Sequence, residues 1–308
     1  MIKYKTHLYG LIGYPVRHSL SAFMHNAAFR ALKINAEYRL FEVKPPDLRD
    51  FLLKDIKVED IQGDVFSSRD IVGFNITIPH KVRAREILEV NLSFSNQSQD
   101  KSFIDITGAV NTVKRNEGCL NTDVYGFGKS LEEDLDFFPK DRNIFLIGCG
   151  GAGRAILAWF GFIKEIGRIY VYDISRETVD SLNRHVSSCS KEYKDWFLNN
   201  IEFVSQEQIP DKIRKCQLLI NASFVGMKES DIPCIDRDML HKNLSVFDVV
   251  YNRETRLIKD AKSLGLRTVG GLGMLLYQGV KAFEFWTGKP APVKIMKEAL
   301  DEAVKKIC

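Results

Sequence analysis

The run Gly148-Cys149-Gly150-Gly151-Ala152-Gly153 fits G-x-G-x-x-G, and the chemistry that pattern serves is the binding of a pyrophosphate. Gly148 permits a tight turn, Gly150 lets backbone approach the phosphates, and Gly153 lets the following helix pack closely on its strand. Gly151 and Ala152 fall in the same first turn, whose N–H groups and helix dipole attract negative charge. The pattern carries weight here because it directly follows the apolar run NIFLI and opens RAILAWF, the strand–turn–helix setting the motif requires. Asp173 ends the next apolar run, RIYVYD, twenty residues beyond Gly153. A carboxylate there accepts hydrogen bonds from both adenosine ribose hydroxyls and repels a 2′-phosphate. The expected cofactor is therefore NAD, with NADP as the alternative and Arg176 as the nearby cation arguing for it.

A second group of residues lies in the N-terminal half. Ser19 and Ser21 are at i and i+2, so on extended chain their hydroxyls point the same way and suit a carboxylate. Ser21 on its own equally reads as the N-cap of the helix after it. Asn75-Ile76-Thr77-Ile78-Pro79-His80-Lys81 ends a buried-looking strand and places Thr77 and Lys81 at its mouth. A partly buried lysine can exchange protons near neutral pH; the plainer reading is a solvated lysine in a first helical turn. Asn121-Thr122-Asp123 follows a hairpin in the same manner, and Asp123 alone reads as a capping residue.

The elements that must position these groups alternate strand with helix. His7–Ile12, Glu37–Val43 and Ile71–Thr77 read as strands, and Ser21–Leu32, Pro45–Leu53 and Lys81–Val90 as helices. Asn116-Glu117-Gly118 signals a hairpin. Asn91–Ser102, rich in Ser, Asn and Gln, reads as a mobile surface loop. From Arg142 the runs NIFLI, RIYVYD, IEFVS, QLLINAS, SVFDVVY and RTVGG read as buried strands, the signature of a parallel sheet covered on both faces. Gly273–Trp286 and Pro292–Lys306 close the chain as helices. The expected fold is α/β: residues 1–125 form an α/β substrate domain and 126–286 a Rossmann-type doubly wound parallel sheet. A cleft is expected between them, with 287–308 packing back on the first domain.

The 308 residues, 45% hydrophobic and 27% charged, describe a globular chain and exclude collagen-like, disordered and small disulfide-stapled classes. Net charge is only +4 and no segment concentrates it, so a nucleic-acid partner is not expected. The six cysteines show no CxxC pairing and the six histidines no HxH or HExxH. Reduced thiols, no metal site and a cytoplasmic location follow as expectations. Neither a signal-peptide core nor a membrane span is expected.

With these motifs in order, the chain resembles the shikimate dehydrogenases, including the quinate/shikimate dehydrogenases. The resemblance runs through GYPVRHSLSAFMHN at 13–26, GFNITIPHK at 73–81, GAVNT at 108–112 and NTDVYG at 121–126. It continues with GCGGAGRA at 148–155, NASFVGM at 221–227, DVVYN at 248–252 and GGLGMLLYQGVKAFEFWTG at 270–288. It implies that Ser19 and Ser21 hold the substrate carboxylate, that Thr77, Asn111 and Gln278 hold ring hydroxyls, and that Tyr251 lines the site. Lys81 and Asp123 match the catalytic pair at the reacting hydroxyl. Val249, Gly271 and Met274 join the glycine loop and Asp173 in holding the cofactor. Met274 and Gln278 also share one helix face, at i and i+4.

The chain departs from that pattern in three places. NADP-using members carry Asn-Arg-Thr where this one has Asp173-Ile174-Ser175, which agrees with the expectation of NAD. Ala22 replaces a usual Pro, and so does Arg253. Ser21, where a threonine would lean towards quinate, leans towards shikimate. The expected reaction is the interconversion of shikimate and 3-dehydroshikimate, in aromatic amino acid biosynthesis or in quinate/shikimate use. Alternatives are quinate dehydrogenation as the main role, or a non-catalytic ligand sensor, which would have no need for both Lys81 and Asp123. Expected partners are a small carboxylate, no nucleic acid and no membrane, with the chain a monomer or homodimer.

Overall fold

The computed structural model describes residues 6–89, 98–233 and 235–307. Asp123–Leu275 forms one compact unit, and the chain on either side of it forms the other.

In the outer unit, β1 (His7–Gly13), β2 (Ala36–Glu42), β5 (Ile71–Ile76), β6 (Thr112–Lys114) and β7 (Gly118–Leu120) form a five-stranded sheet in the order β2-β1-β5-β6-β7. β2, β1 and β5 run parallel, and β6 and β7 return antiparallel. The Asn116-Glu117-Gly118 turn joins the last two, with positive φ at Asn116 and Gly118. The connecting helices are α1 (Ser21–Ala31), α2 (Leu48–Leu53), α3 (Lys81–Glu89) and α4 (Ser98–Thr107). A short hairpin of β3 (Lys57–Glu59) and β4 (Val65–Ser67) intervenes; three-residue strands on exposed chain carry too little periodicity to be read in sequence. Ile12, Phe41, Phe51, Ile71 and Phe74 make the core beneath the sheet, each fully buried.

Of the loop expected at Asn91–Ser102, residues 98–102 are the first half of α4, because Phe103, Ile104 and Thr107 recur at helical spacing and are buried. Residues 91–97 lie outside the described chain.

The second unit opens with α5 (Thr122–Glu133), whose first residue belongs to the outer unit. It then alternates β8 (Ile144–Ile147), α6 (Gly151–Ile163), β9 (Ile169–Tyr172), α7 (Arg176–Ser188), α8 (Lys191–Asn200), β10 (Ile201–Phe203), α9 (Ile209–Ile213) and β11 (Leu218–Asn221). β12 (Ser245–Asp248), α10 (Arg256–Ser263) and β13 (Thr268–Val269) complete it. The sheet order is β10-β9-β8-β11-β12-β13 and every pairing is parallel. Counted from β8 that is 3-2-1-4-5-6, the doubly wound Rossmann order, in which ligands bind outside the carboxyl ends of the strands. The central strands are apolar without alternation because both faces are covered, and Ile144 to Ile147 are all buried.

α11 (Leu272–Thr287) and α12 (Val293–Ile307) end the chain. The compact division falls inside α11, so residues from Leu276 onward group with the outer unit rather than from 287. Two contacts explain it. The Trp286 indole donates to Val113 O at 2.9 Å, and the bare backbone of Gly279 sits where a Cβ would lie 2.2 Å from the Met24 methyl. α12 packs against α1. No helix of the described residues is long and apolar enough to cross a membrane.

Candidate active site

In the outer unit, the carboxyl ends of β1 and β5 carry two loops that are laced together. Thr77 N donates to Ile12 O at 2.9 Å, and Tyr14 N donates to Ile78 O at 2.9 Å. Gly13 makes this approach possible, since a Cβ there would lie 2.4 Å from the Thr77 methyl. The first loop carries Ser19 and Ser21. Ser19 Oγ donates to Ser21 Oγ at 3.2 Å and accepts the Ser21 N–H at 3.3 Å. Ser21 is therefore no helix cap: Leu20 holds that position, without a side-chain cap bond.

The second loop leads into α3. His80 is buried, and its Nε2 donates to Val43 O at 2.7 Å, so burial holds its pKa below the ordinary imidazole value. This tether to the end of β2 fixes the turn from which half-buried Lys81 starts its helix.

Asn111 is buried just ahead of β6. Its Oδ1 accepts the Thr122 backbone N–H at 2.7 Å and hydroxyl bonds from Thr112 at 3.1 Å and Thr122 at 3.2 Å. Its Nδ2 has no protein partner among the described residues. The single Thr122 hydroxyl proton is shared between Asn111 Oδ1 and Gln278 Oε1, the latter at 3.4 Å. One threonine, the residue before Asp123, thus joins a ligand candidate from the hairpin sheet to one from α11. Asp123 itself is buried in the first turn of α5.

In the second unit the glycine loop has the shape a pyrophosphate needs. Gly148 takes a φ of +89°, which a side chain would strain. A Cβ on Gly153 would lie 2.2 Å from Gly148 O, whereas one on Gly150 would meet no atom within 4 Å. The helix packs tightly at one glycine and stands open at the other. Asp173 is tied into this loop: Oδ2 accepts the Cys149 N–H at 2.9 Å and Oδ1 the Ser175 N–H at 2.8 Å. Ile174 beside it is 91% exposed, and Arg176 is exposed at the start of α7.

At the ends of β11 and β12 a buried polar knot sets the following loops. Asp248 Oδ1 accepts from Asn221 Nδ2 at 2.9 Å and Val250 N at 3.0 Å, and Oδ2 accepts from Thr255 Oγ1 at 2.7 Å. Burial raises this carboxyl to about 6 despite those donors. The knot holds Val249, whose carbonyl lies 1.9 Å from where a Cβ on Gly271 would stand; only glycine fits there. Tyr251 is half-buried in the same loop, and Met274 is buried in the first turn of α11.

A model of the shikimate dehydrogenase substrate binding domain matches residues 11–113, and one of the shikimate 5'-dehydrogenase C-terminal domain matches 271–300. The chain is 37% identical to the shikimate dehydrogenase (NADP(+)) of Methanopyrus kandleri over 98% of its length and 97% of the relative's. It belongs to the shikimate dehydrogenase family. A shikimate dehydrogenase crystallised in complex with NADP+ superposes with a TM-score of 0.77 at 32% identity, covering 99% of this chain and 98% of that one. The Listeria monocytogenes shikimate 5-dehydrogenase, crystallised with shikimate and NAD, gives 0.76 at 31% identity, covering 96% of each chain.

Set in this family, these candidate residues divide into four local groups. Ser19, Ser21 and Thr77 share the laced loops; Asn111 and Gln278 meet at Thr122; Gly148, Gly150, Gly151, Ala152, Gly153 and Asp173 form the loop at the end of β8. Val249, Gly271, Tyr251 and Met274 cluster at the end of β12 and the start of α11. Sequence reasoning missed the residues that hold these in place: His80, Thr112, Thr122, Asn221, Asp248 and Thr255. Asn221 and Asp248 each end a buried strand, where an uncharged apolar residue is the norm, and that was the available signal. Among the described residues no group of His, Cys, Asp and Glu is arranged to hold a metal ion.

Proposed function

We propose that this chain is an NAD-linked oxidoreductase that interconverts shikimate and 3-dehydroshikimate in aromatic biosynthesis. The observation that carries the reading is the bridge through Thr122, which unites Asn111 and Gln278 immediately ahead of Asp123 in a chain of this family. Ser19 and Ser21 offer two adjacent hydroxyls to the substrate carboxylate. Thr77, Asn111 and Gln278 bind the ring hydroxyls, with Asn111 presenting its NH2 because its oxygen is taken by Thr122. Tyr251 lines the site.

The glycine loop fits a dinucleotide: Gly150 leaves the N-terminus of α6 uncovered, and the N–H groups of Gly151, Ala152 and Gly153 lie in the first turn, where helical partners are missing. Val249, Gly271 and Met274 would hold the nicotinamide end. When bound, the nicotinamide supplies a hydride acceptor. The chain's own task is the proton. As hydride leaves the carbinol carbon, Lys81 Nζ takes the hydroxyl proton or stabilises the developing alkoxide, and Asp123 orients the lysine and balances its charge. In the reductive direction the same lysine donates.

The preference for NAD rests on Asp173, a carboxylate that would repel a 2′-phosphate, and on Ile174 in place of a cation. The relative compared above is named as an NADP(+) enzyme, so the Asp173 carboxylate is the residue on which cofactor choice turns. Oxidation of shikimate and of quinate, each with NAD and with NADP, tests the reading.

A further inference from the structure

Asn111 and Gln278 are held from behind by a buried chain of hydrogen bonds that starts on the far strand of the sheet. Tyr38, on β2, donates its hydroxyl proton to Asn75 Oδ1 at 2.8 Å. That fixes the other end of the amide, and Asn75 Nδ2 donates to Thr112 Oγ1 at 2.9 Å and to Asn111 O at 3.3 Å. The Thr112 oxygen, already accepting, passes its own proton on. That single proton is shared between Asn111 Oδ1 at 3.1 Å and the neighbouring Thr122 Oγ1 at 3.2 Å. Thr122 continues to Gln278 Oε1. Tyr38, Asn75, Thr112 and Thr122 are all under 5% exposed, so water does not substitute for a missing partner.

The two asparagine amides in this chain have their polarity set by their neighbours. The phenol has a single proton and Asn75 takes it. The Thr122 backbone N–H can only donate, so Asn111 cannot reverse its amide without setting donor against donor. Thr112 supplies the second donor to the same oxygen. A fully buried threonine on β6 is otherwise unexplained, because valine has its shape and packs without a polar atom.

We propose that Thr112, anchored through Asn75 by Tyr38, is a positioning residue that sets the donor face of Asn111 and, through Thr122, the angle of Gln278. The inference rests on the reading that these two side chains bind the substrate's ring hydroxyls. Thr112 touches no reacting atom, so its loss appears in the affinity for the ring and not in the chemical step.

The test compares Thr112→Val, Thr112→Ser and Tyr38→Phe with the natural chain, measuring kcat, KM for shikimate, KM for the nicotinamide cofactor, and the Kd for shikimate by calorimetry. Thr112→Val is expected to raise KM and Kd for shikimate about tenfold, the order expected from one lost buried hydrogen bond. Cofactor KM and kcat should stay within about twofold. Thr112→Ser, which keeps the hydroxyl, should restore most of the affinity, and Tyr38→Phe should show a smaller rise in the same constants. Unchanged shikimate affinity in Thr112→Val overturns the inference, as does a Thr112→Ser variant as impaired as the valine. Should Thr112→Val fail to fold, unchanged affinity in Tyr38→Phe overturns it alone. A natural chain that neither binds nor oxidises shikimate overturns the functional reading instead, and this inference with it.

Discussion

Asp173 accepts the backbone N–H of Cys149 at 2.9 Å, so the carboxylate at the end of β9 also braces the glycine loop at the end of β8. Its second oxygen holds Ser175 N. Asp173→Asn keeps the shape but turns an NH2 towards one of those N–H groups. The expected outcome is twofold: a fall in stability of about 1–3 kcal/mol and a rise in KM for NAD, with kcat little changed. Thermal melting and cofactor titration of the variant read both. A rise in KM for NAD without any loss of stability would show that the brace is unimportant.

Gly150 and Gly153 predict opposite behaviours on substitution. A methyl on Gly150 meets no atom within 4 Å, so Gly150→Ala should fold with a Tm close to that of the natural chain; with the phosphates bound in that open space as proposed, its KM for the nicotinamide cofactor should rise at least tenfold. Gly153→Ala sets a methyl 2.2 Å from Gly148 O and should lose stability as well. Melting both variants with and without cofactor distinguishes them; a Gly150→Ala chain with unaltered cofactor affinity would place the phosphates elsewhere.

Lys81→Ala should lower kcat by about 10²–10⁴-fold, the range for loss of a general acid–base, while the Kd for shikimate changes little. Paired kinetics and calorimetry check it. Near-normal turnover in that variant would remove Lys81 from the chemistry.

Two buried groups give the stability a pH signature. The Asp248 carboxyl, raised to about 6 from 3.8, keeps a proton that the unfolded chain releases. The stability it brings is present below about pH 4 and lost as pH rises through 6. His25 works the other way. It is fully buried, stacked on Tyr38 at 4.5 Å, with neither ring nitrogen hydrogen-bonded among the described residues. Burial pushes it down to about 3 from 6.5. The stability this depressed group retains is complete above pH 6.5 and lost as pH falls towards 3. The two oppose each other between pH 4 and 6, so difference profiles are needed. Asp248→Asn should gain stability over the natural chain as pH rises from 4 to 8. His25→Phe should gain it as pH falls from 7 to 4. Tm differences independent of pH would contradict both assignments.

Much of this was legible in sequence because the determining interactions are local. The strands from β8 to β13 announce themselves as apolar runs, since a sheet covered on both faces needs no alternation. The glycine loop and Asp173 lie on consecutive elements, and their spacing is fixed by the βαβ unit. What sequence could not supply is the polar scaffolding across elements. Tyr38, Asn75, Thr112 and Thr122 are separate single residues with no periodicity, and they meet only because β2, β5, β6 and α5 are brought together by the sheet. Helix α4 was hidden for a related reason: its first turn, Ser98-Gln99-Asp100-Lys101, is polar, and its buried residues, Phe103, Ile104 and Thr107, come only in the second half.

The central claim is that the chain oxidises shikimate with NAD as the preferred acceptor. The direct measurement is kcat/KM for shikimate and for quinate, each against NAD and NADP, on the purified full chain. The highest value is expected for shikimate with NAD, with NADP at least tenfold poorer, the order that one repelled phosphate gives. A clear preference for NADP would overturn the role given to Asp173, and turnover of neither acid with either cofactor would contradict the reaction itself.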